Sequence, residues 1–239
     1  LWKDLLLLNK YQKILVIAAH PDDEVLGCGG TLVKSIKLGA SVRVVFLGEG
    51  VSARFPFGQY ENDEFIAQSK IRLQEAKKAL KVIGVNDIYF GDRLAVQFDT
   101  LPHITLVKNI EEHINDFQPT IIFTHNSSEV NIDHRLTYEA VEAACRPTNR
   151  KGLPSEIYTF EIVCSGSFKF SPFFLANVFV DISDVWDVKI EAWKCYDKES
   201  RPFPFPRSIK GLETLAMYRG LSSGMEKAEA FSLARMIVR

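Results

Sequence analysis

The stretch that decides the fold is Lys13-Ile14-Leu15-Val16-Ile17-Ala18-Ala19-His20-Pro21-Asp22-Asp23-Glu24. Its first part is a continuous apolar run of strand length, which is typical of a strand covered on both faces. An imidazole ends the run, and three carboxylates follow it closely. Carboxylates are rarely buried unless they are paired or bound to metal, and a divalent cation relieves the cost of crowding them. The stretch therefore predicts an interior strand with a metal-attracting loop at its carboxyl end.

Strand, loop and helix patterns alternate along the rest of the chain. A Gly-rich turn at 27–30 precedes a helical apolar spacing that stops at Gly39. Repeated strand-helix units predict an α/β fold in which helices cover both faces of a mostly parallel sheet. The further predicted strands are 41–47, 87–90, 120–124, 156–163 and 176–181, and the predicted helices are 31–38, 64–83, 105–117, 133–145, 185–197 and 209–221.

Length and composition indicate a single globular domain over residues 1–239. The chain has 46% hydrophobic residues, 25% charged residues and a formal net charge of -1, so charge favours neither a nucleic-acid partner nor an anionic membrane. The run 5–8 is far shorter than the ~20 apolar residues of a membrane span and predicts one face of a short helix. Four scattered cysteines without a CxxC pair are expected to be reduced. With no secretory signal in the sequence, this predicts a cytoplasmic protein, and the sequence leaves a homo-oligomer open.

A second polar cluster, residues 125–134, follows the predicted strand 120–124. If the sheet is parallel, both clusters lie at the carboxyl ends of strands, where ligands gather in such sheets. His20 and Asp23 can then converge on one point, and an imidazole from the second cluster can join them. Two His and one Asp form the three-ligand site with an open position that suits catalytic zinc, although another divalent metal remains open. The co-location of the clusters favours this interpretation over a surface pair, and over an N-cap role for Asp133.

Asp22 lies between the two predicted ligands in a turn that Pro21 stiffens, which makes it the candidate general base. Zinc would lower the pKa of a bound water to about 7, and Asp22 would take its proton as the water attacks a carbonyl carbon.

At these motifs the sequence resembles the LmbE/PIG-L-like deacetylases. Residues 19–24 match the Ala-His-Pro-Asp-Asp-Glu signature of that family, and Asp133-His134 matches its second signature. Further similarity covers 160–161, 207–208, 219–220 and 228–231. The resemblance implies a Rossmann-like three-layer α/β/α sandwich. It also implies zinc held by His20, Asp23 and His134, and hydrolysis of an N-acetylated amino sugar, free or conjugated.

One position departs from the family pattern. Many members carry His-x-Asp-His in the second motif, where the first His helps to stabilise the oxyanion or protonates the leaving amine, whereas this chain has Asn131. An amide can donate a hydrogen bond to an oxyanion but cannot deliver a proton at neutral pH. Three solutions are open: Asp22 shuttles the proton from water to amine, His125 takes the place of the missing histidine, or activity is reduced. We favour Asp22 as the shuttle, with His125 assisting and Asp133 supporting a ligand from behind.

Three further residues are candidate substrate ligands. Arg54 follows the second strand, Asp92 follows the third, and Arg207 follows a proline-rich loop, so each is expected near the active edge. An alternative stays open for each: a solvated loop arginine for Arg54, a turn residue for Asp92 and a surface salt bridge for Arg207. Arg72 and Glu75 are instead predicted to form an intrahelical ion pair.

Rival functions remain open at this stage. They are a deacylase of another small N-acyl substrate, a non-catalytic sugar-binding homologue, and a nucleotide-binding module suggested by the glycines at 27–30. The last is disfavoured because the run is not GxGxxG and the acidic loop before it would repel a pyrophosphate.

Overall fold

The computed structural model describes residues 12–147 and 152–238, so the predicted helix at 5–8 lies outside the described residues. Seven strands in this part of the chain form one sheet. They are β1 (Lys13–Ala18), β2 (Ser41–Gly48), β3 (Asp87–Arg93), β4 (Ile121–His125), β5 (Glu156–Phe160), β6 (Val178–Asp181) and β7 (Ala228–Met236). Their order is β3-β2-β1-β4-β5-β7-β6. The pairings from β3 to β5 are all parallel, and β7 runs antiparallel to both β5 and β6. The predicted mostly parallel sheet is confirmed.

Helices cover both faces of this sheet. They are α1 (Asp23–Lys37), α2 (Asp63–Ile83), α3 (His103–Phe117), α4 (Ile132–Ala144), α5 (Trp186–Lys194) and α6 (Ile209–Leu221). Alternate side chains of β1 enter two separate cores: Ile14 and Val16 pack with α1, α2, α5 and α6, while Leu15 and Ile17 pack with α3 and α4. The three-layer α/β/α architecture is therefore confirmed, and β1 is buried on both faces as its apolar run predicted.

The prediction of a turn at 27–30 is wrong, because α1 begins at Asp23 and runs through these glycines. Their role is close packing. A Cβ built on Gly27 would lie 2.5 Å from the ring of Phe160, and one on Gly30 would lie 2.7 Å from Ile182. The glycines let the helix approach the sheet closely.

The strand β7 was not predicted from the sequence. Its residues 228–231 are all buried, including Glu229, so the strand lacks the apolar-polar alternation that marks a half-buried strand. Among the described helices, none is both long enough and apolar enough to cross a membrane.

Candidate metal centre and active site

The two polar clusters meet at the carboxyl edge of the sheet. Strands β1 and β4 are parallel neighbours, and the chain leaves them toward opposite halves of the sheet, so their loops flank a switch point. There His20, Asp23 and His134 are all buried, and each offers one ligand atom within 4.8 Å of the others. The structure thus brings together the three residues that the sequence predicted as metal ligands.

Each histidine of this cluster is oriented by a carboxylate behind it. Nε2 of His20 lies 2.8 Å from Oδ2 of Asp133, and Nδ1 of His134 lies 3.3 Å from Oε2 of Glu129. Because a carboxylate only accepts hydrogen bonds, these contacts place the protons on the rear nitrogens and leave the forward nitrogens free to bind metal. Histidine ligands of metals are commonly held in this way. Glu129 was not assigned a role from the sequence, although its place in the same loop as His134 was a usable signal.

The electrostatics of the cluster also suit a cation. Burial lowers the pKa of His134 well below its usual value, so its imidazole is neutral. Burial would also lower the pKa of His20, but the hydrogen bond to Asp133 and the charges of Asp23, Asp133 and Asp22 together raise it. A field that favours a proton on His20 also favours a metal ion beside it. These residues therefore fit a zinc ion, or another divalent metal.

Asp22 is held in an unusual backbone conformation next to this cluster. Its φ is 118°, which L-residues rarely adopt, and its N–H donates to Oε2 of Glu24 at 2.9 Å. Its carboxylate accepts from Arg207 at 3.1 Å and from Arg72 at 3.3 Å. Burial raises the pKa of Asp22, and the charge of Arg207 opposes that rise. The carboxylate is therefore fixed from several sides.

An open cavity lies in front of these groups. Arg54 and Arg207, two of the predicted substrate ligands, line it. Asp92 does not: it is exposed and borders a neighbouring cavity instead. The reason is that β3 extends to Arg93, so Asp92 belongs to the strand rather than to a loop beyond it. The residues that line the cavity in front of the cluster are His20, Asp22, Asp23, Gly50, Ala53, Arg54, Ala95, Val96, Asn131, His134, Glu199 and Arg207.

A family model described as GlcNAc-PI de-N-acetylase, PIG-L, matches residues 15–145, which is more than half of the chain. The chain belongs to the PIG-L family. The matched segment contains both loops that build the cluster.

Comparisons of the whole PIG-L chain agree with this assignment. It is 32% identical over 238 residues to diacetylchitobiose deacetylase of Thermococcus kodakarensis, covering 92% of this chain and 82% of that protein. Its fold is similar to that of N,N'-diacetylchitobiose deacetylase from Pyrococcus horikoshii, with a TM-score of 0.73 and 23% identity. The match covers 97% of this chain and 88% of that chain. The fold is equally similar to that of GalB, the 4-carboxy-2-hydroxymuconate hydratase of Pseudomonas putida, with a TM-score of 0.73 and 21% identity. That match covers 95% of this chain and 98% of GalB. The fold is therefore shared with a hydratase, so the fold alone does not determine the reaction.

Asn131 of this PIG-L protein has a structural task as well as a place on the cavity wall. Its Oδ1 accepts from the N–H of Asp133 at 2.9 Å, so Asn131 is the N-cap of α4. The alternative reading of Asp133 as the N-cap is wrong. Its carboxylate instead accepts from His20 and from the N–H groups of Val96 and Phe98.

His125 lies behind the candidate ligands and does not line the cavity. It is fully buried, and its Nε2 accepts from the N–H of Ala19 at 2.9 Å. Burial lowers the pKa of His125 to about 3, so the ring is neutral. This position argues against the expectation that His125 assists as an acid.

The predicted ion pair of Arg72 is confirmed, but it is only part of the contacts that this side chain makes. The ion pair with Glu75 exists at 3.5 Å, but Arg72 is buried and also donates to Asp22 and to Glu199. Glu199 comes from the segment between α5 and α6, far along the chain. Helical spacing identified the near partner of Arg72, and no local signal pointed to Glu199.

Proposed function

We propose that this chain is a zinc-dependent hydrolase that removes an N-acetyl group from an amino sugar. The single observation that supports this most is the convergence of His20, Asp23 and His134 beside Asp22 at the floor of an open cavity. Membership of the PIG-L family and the similarity to diacetylchitobiose deacetylase support an N-acetylglucosamine-containing substrate.

His20, Asp23 and His134 would hold the metal, with Asp133 and Glu129 fixing the two imidazoles. When bound, such an ion polarises a substrate carbonyl and lowers the pKa of a water. Three protein ligands would leave room for the water and the substrate carbonyl. This arrangement is typical of catalytic zinc, whereas structural zinc has four protein ligands.

Asp22 carries both proton transfers in this proposal. Its carboxylate takes a proton from the water that attacks the acetyl carbon, and returns it to the sugar nitrogen as the C–N bond breaks. The products are acetate and a free amine. Arg72 and Arg207 orient the carboxylate of Asp22 by donating to its Oδ2, and Glu24 holds the backbone of Asp22 by accepting from its N–H. Positioning of this kind is what efficient proton transfer requires.

Asn131 is the candidate for stabilising the oxyanion. Its Oδ1 is engaged by the backbone of α4, which orients its amide group at the cavity wall. The amide nitrogen is then available to donate to the acetyl oxygen as negative charge develops there. Arg54 and Arg207 line the cavity, and we expect them to bind the sugar.

A substrate panel tests this function. The zinc-loaded protein is incubated with N-acetylglucosamine, N,N'-diacetylchitobiose and a non-sugar N-acetyl amine, and acetate and free amine are quantified. Equal amounts of both products from the sugars, lost on chelation and restored by zinc, are expected. Preference for the non-sugar amine would indicate a different deacylase, and zinc binding without any acetate release would indicate a non-catalytic sugar-binding protein.

A further inference from the structure

One wall of the cavity is a cluster of arginines built around a single carboxylate. Arg54 follows β2, Arg72 belongs to α2, and Arg207 precedes α6, yet all three contact Glu199. Oε1 of Glu199 accepts from Arg54 and Arg72, and its Oε2 lies 3.4 Å from Arg207. Only 8% of the Glu199 side chain is exposed. Glu199 therefore connects three segments that are distant along the chain.

Each arginine of this cluster is paired with at least one carboxylate. Its three guanidinium groups face three carboxylates: Glu199, Asp22, which pairs with Arg72 and Arg207, and Glu75, which lies 3.5 Å from Arg72. Arg54 and Arg207, the two arginines that line the cavity, are thus already paired with acidic groups. A wall of this kind differs from an anion site, in which the guanidinium groups await a phosphate or carboxylate from the ligand.

We propose that Glu199 is a specificity-determining residue that makes the site select uncharged acetylated amino sugars over those that carry a phosphate or carboxylate. The inference rests on the proposed function and adds the substrate class. An anionic group at this wall would meet the carboxylate of Glu199 at close range, and such like-charge contacts reject wrong partners. A sugar hydroxyl meets no such penalty, because a paired guanidinium keeps spare N–H donors.

The test compares two substrates that differ by one phosphate, N-acetylglucosamine and N-acetylglucosamine 6-phosphate, on the zinc-loaded protein. We expect kcat/KM to favour the neutral sugar by about 10-fold or more, since ~1.4 kcal/mol of discrimination corresponds to tenfold. In Glu199→Gln the ratio should fall by about 10-fold, chiefly through a lower KM for the phosphorylated sugar. Glu226→Gln, at an exposed position outside the cavity, is the matched control and should keep the ratio of the unmodified protein.

Three results would overturn the inference: a preference of the unmodified protein for the phosphorylated sugar, an unchanged ratio in a folded, zinc-binding Glu199→Gln, or an equal shift in the control. If Glu199→Gln does not fold, two other kcat/KM ratios test the inference. The unmodified protein should prefer the neutral sugar, and Glu199→Asp, which keeps the charge, should keep that preference. Acetate release from the phosphorylated sugar alone would refute the specificity but leave the deacetylase function standing. Release from neither sugar, nor from N,N'-diacetylchitobiose, would refute the proposed function itself.

Discussion

Nε2 of His20 lies 2.8 Å from Oδ2 of Asp133, a contact that joins the loop after β1 to the first turn of α4. The same carboxylate accepts from the N–H groups of Val96 and Phe98, so a third segment is fixed at this point. One buried aspartate thus orients a candidate metal ligand and anchors the cavity wall. Asp133 is not part of the group of His20, Asp23 and His134 whose candidate ligand atoms converge.

Replacing Asp133 should weaken metal binding. In Asp133→Asn the amide no longer provides a charged acceptor for His20, and changes of this kind typically cost about 10–100-fold in metal affinity. The zinc dissociation constant, measured by competition with a chromophoric chelator, should rise accordingly. Asp99→Asn, at an exposed position, is the matched control. An Asp133→Asn protein that binds zinc as tightly as the control would contradict this role.

We expect replacement by alanine to have opposite effects on stability at two glycines of α1. In Gly27→Ala the new Cβ would lie 2.5 Å from the ring of Phe160, whereas in Gly29→Ala its nearest contact would be 3.5 Å away. Overpacking should lower the free energy of unfolding of Gly27→Ala by about 1–3 kcal/mol. Gly29→Ala should instead raise the free energy of unfolding by about 0.5–1 kcal/mol, because alanine is the better helix former. Urea unfolding measures both, and equal effects at the two positions would count against the packing described here.

A buried ion pair stabilises the contact between α1, α5 and β7. Nζ of Lys189 lies 2.6 Å from Oε1 of Glu229 and 3.0 Å from the carbonyl oxygen of Leu26. Lys189→Met leaves the buried carboxylate without its counter-charge and should lower the free energy of unfolding by about 3 kcal/mol. The exposed Lys37→Met is the control and should change it by less than about 0.5 kcal/mol.

A double variant separates charge from packing at this pair. Adding Glu229→Gln to Lys189→Met removes the unpaired charge, so part of the lost stability should return. A double variant as unstable as the sum of the two single variants would show that the two side chains act independently.

The sequence predicted the sheet and the metal cluster for the same reason. The apolar run of β1 marked a strand covered on both faces, and parallel strands place the loops that follow them at one edge. His20, Asp23 and His134 could therefore be brought together without coordinates, with the family resemblance selecting His134. The N-terminus of α1 was misplaced because glycines weaken the helical signal even where close packing requires them.

Contacts between distant segments were the part that the sequence could not reveal. Arg72 shows this clearly, because its helical spacing pointed to Glu75 while its other partners, Asp22 and Glu199, are set by the tertiary fold. In the same way, the buried position of His125 depends on how β4 sits beside β1, where the ring meets the N–H of Ala19. Local patterns name candidate residues, and packing decides which of them reach the cavity.

The most direct test of the account is turnover in Asp22→Asn with zinc content measured on the same sample. Because Asp22 moves protons but does not hold the metal in this proposal, the variant should bind about one equivalent of zinc and release acetate about 10²–10⁴-fold more slowly than the unmodified protein. Asp99→Asn should match the unmodified protein in both measurements. A zinc-loaded Asp22→Asn that deacetylates at the unmodified rate would contradict the central claim.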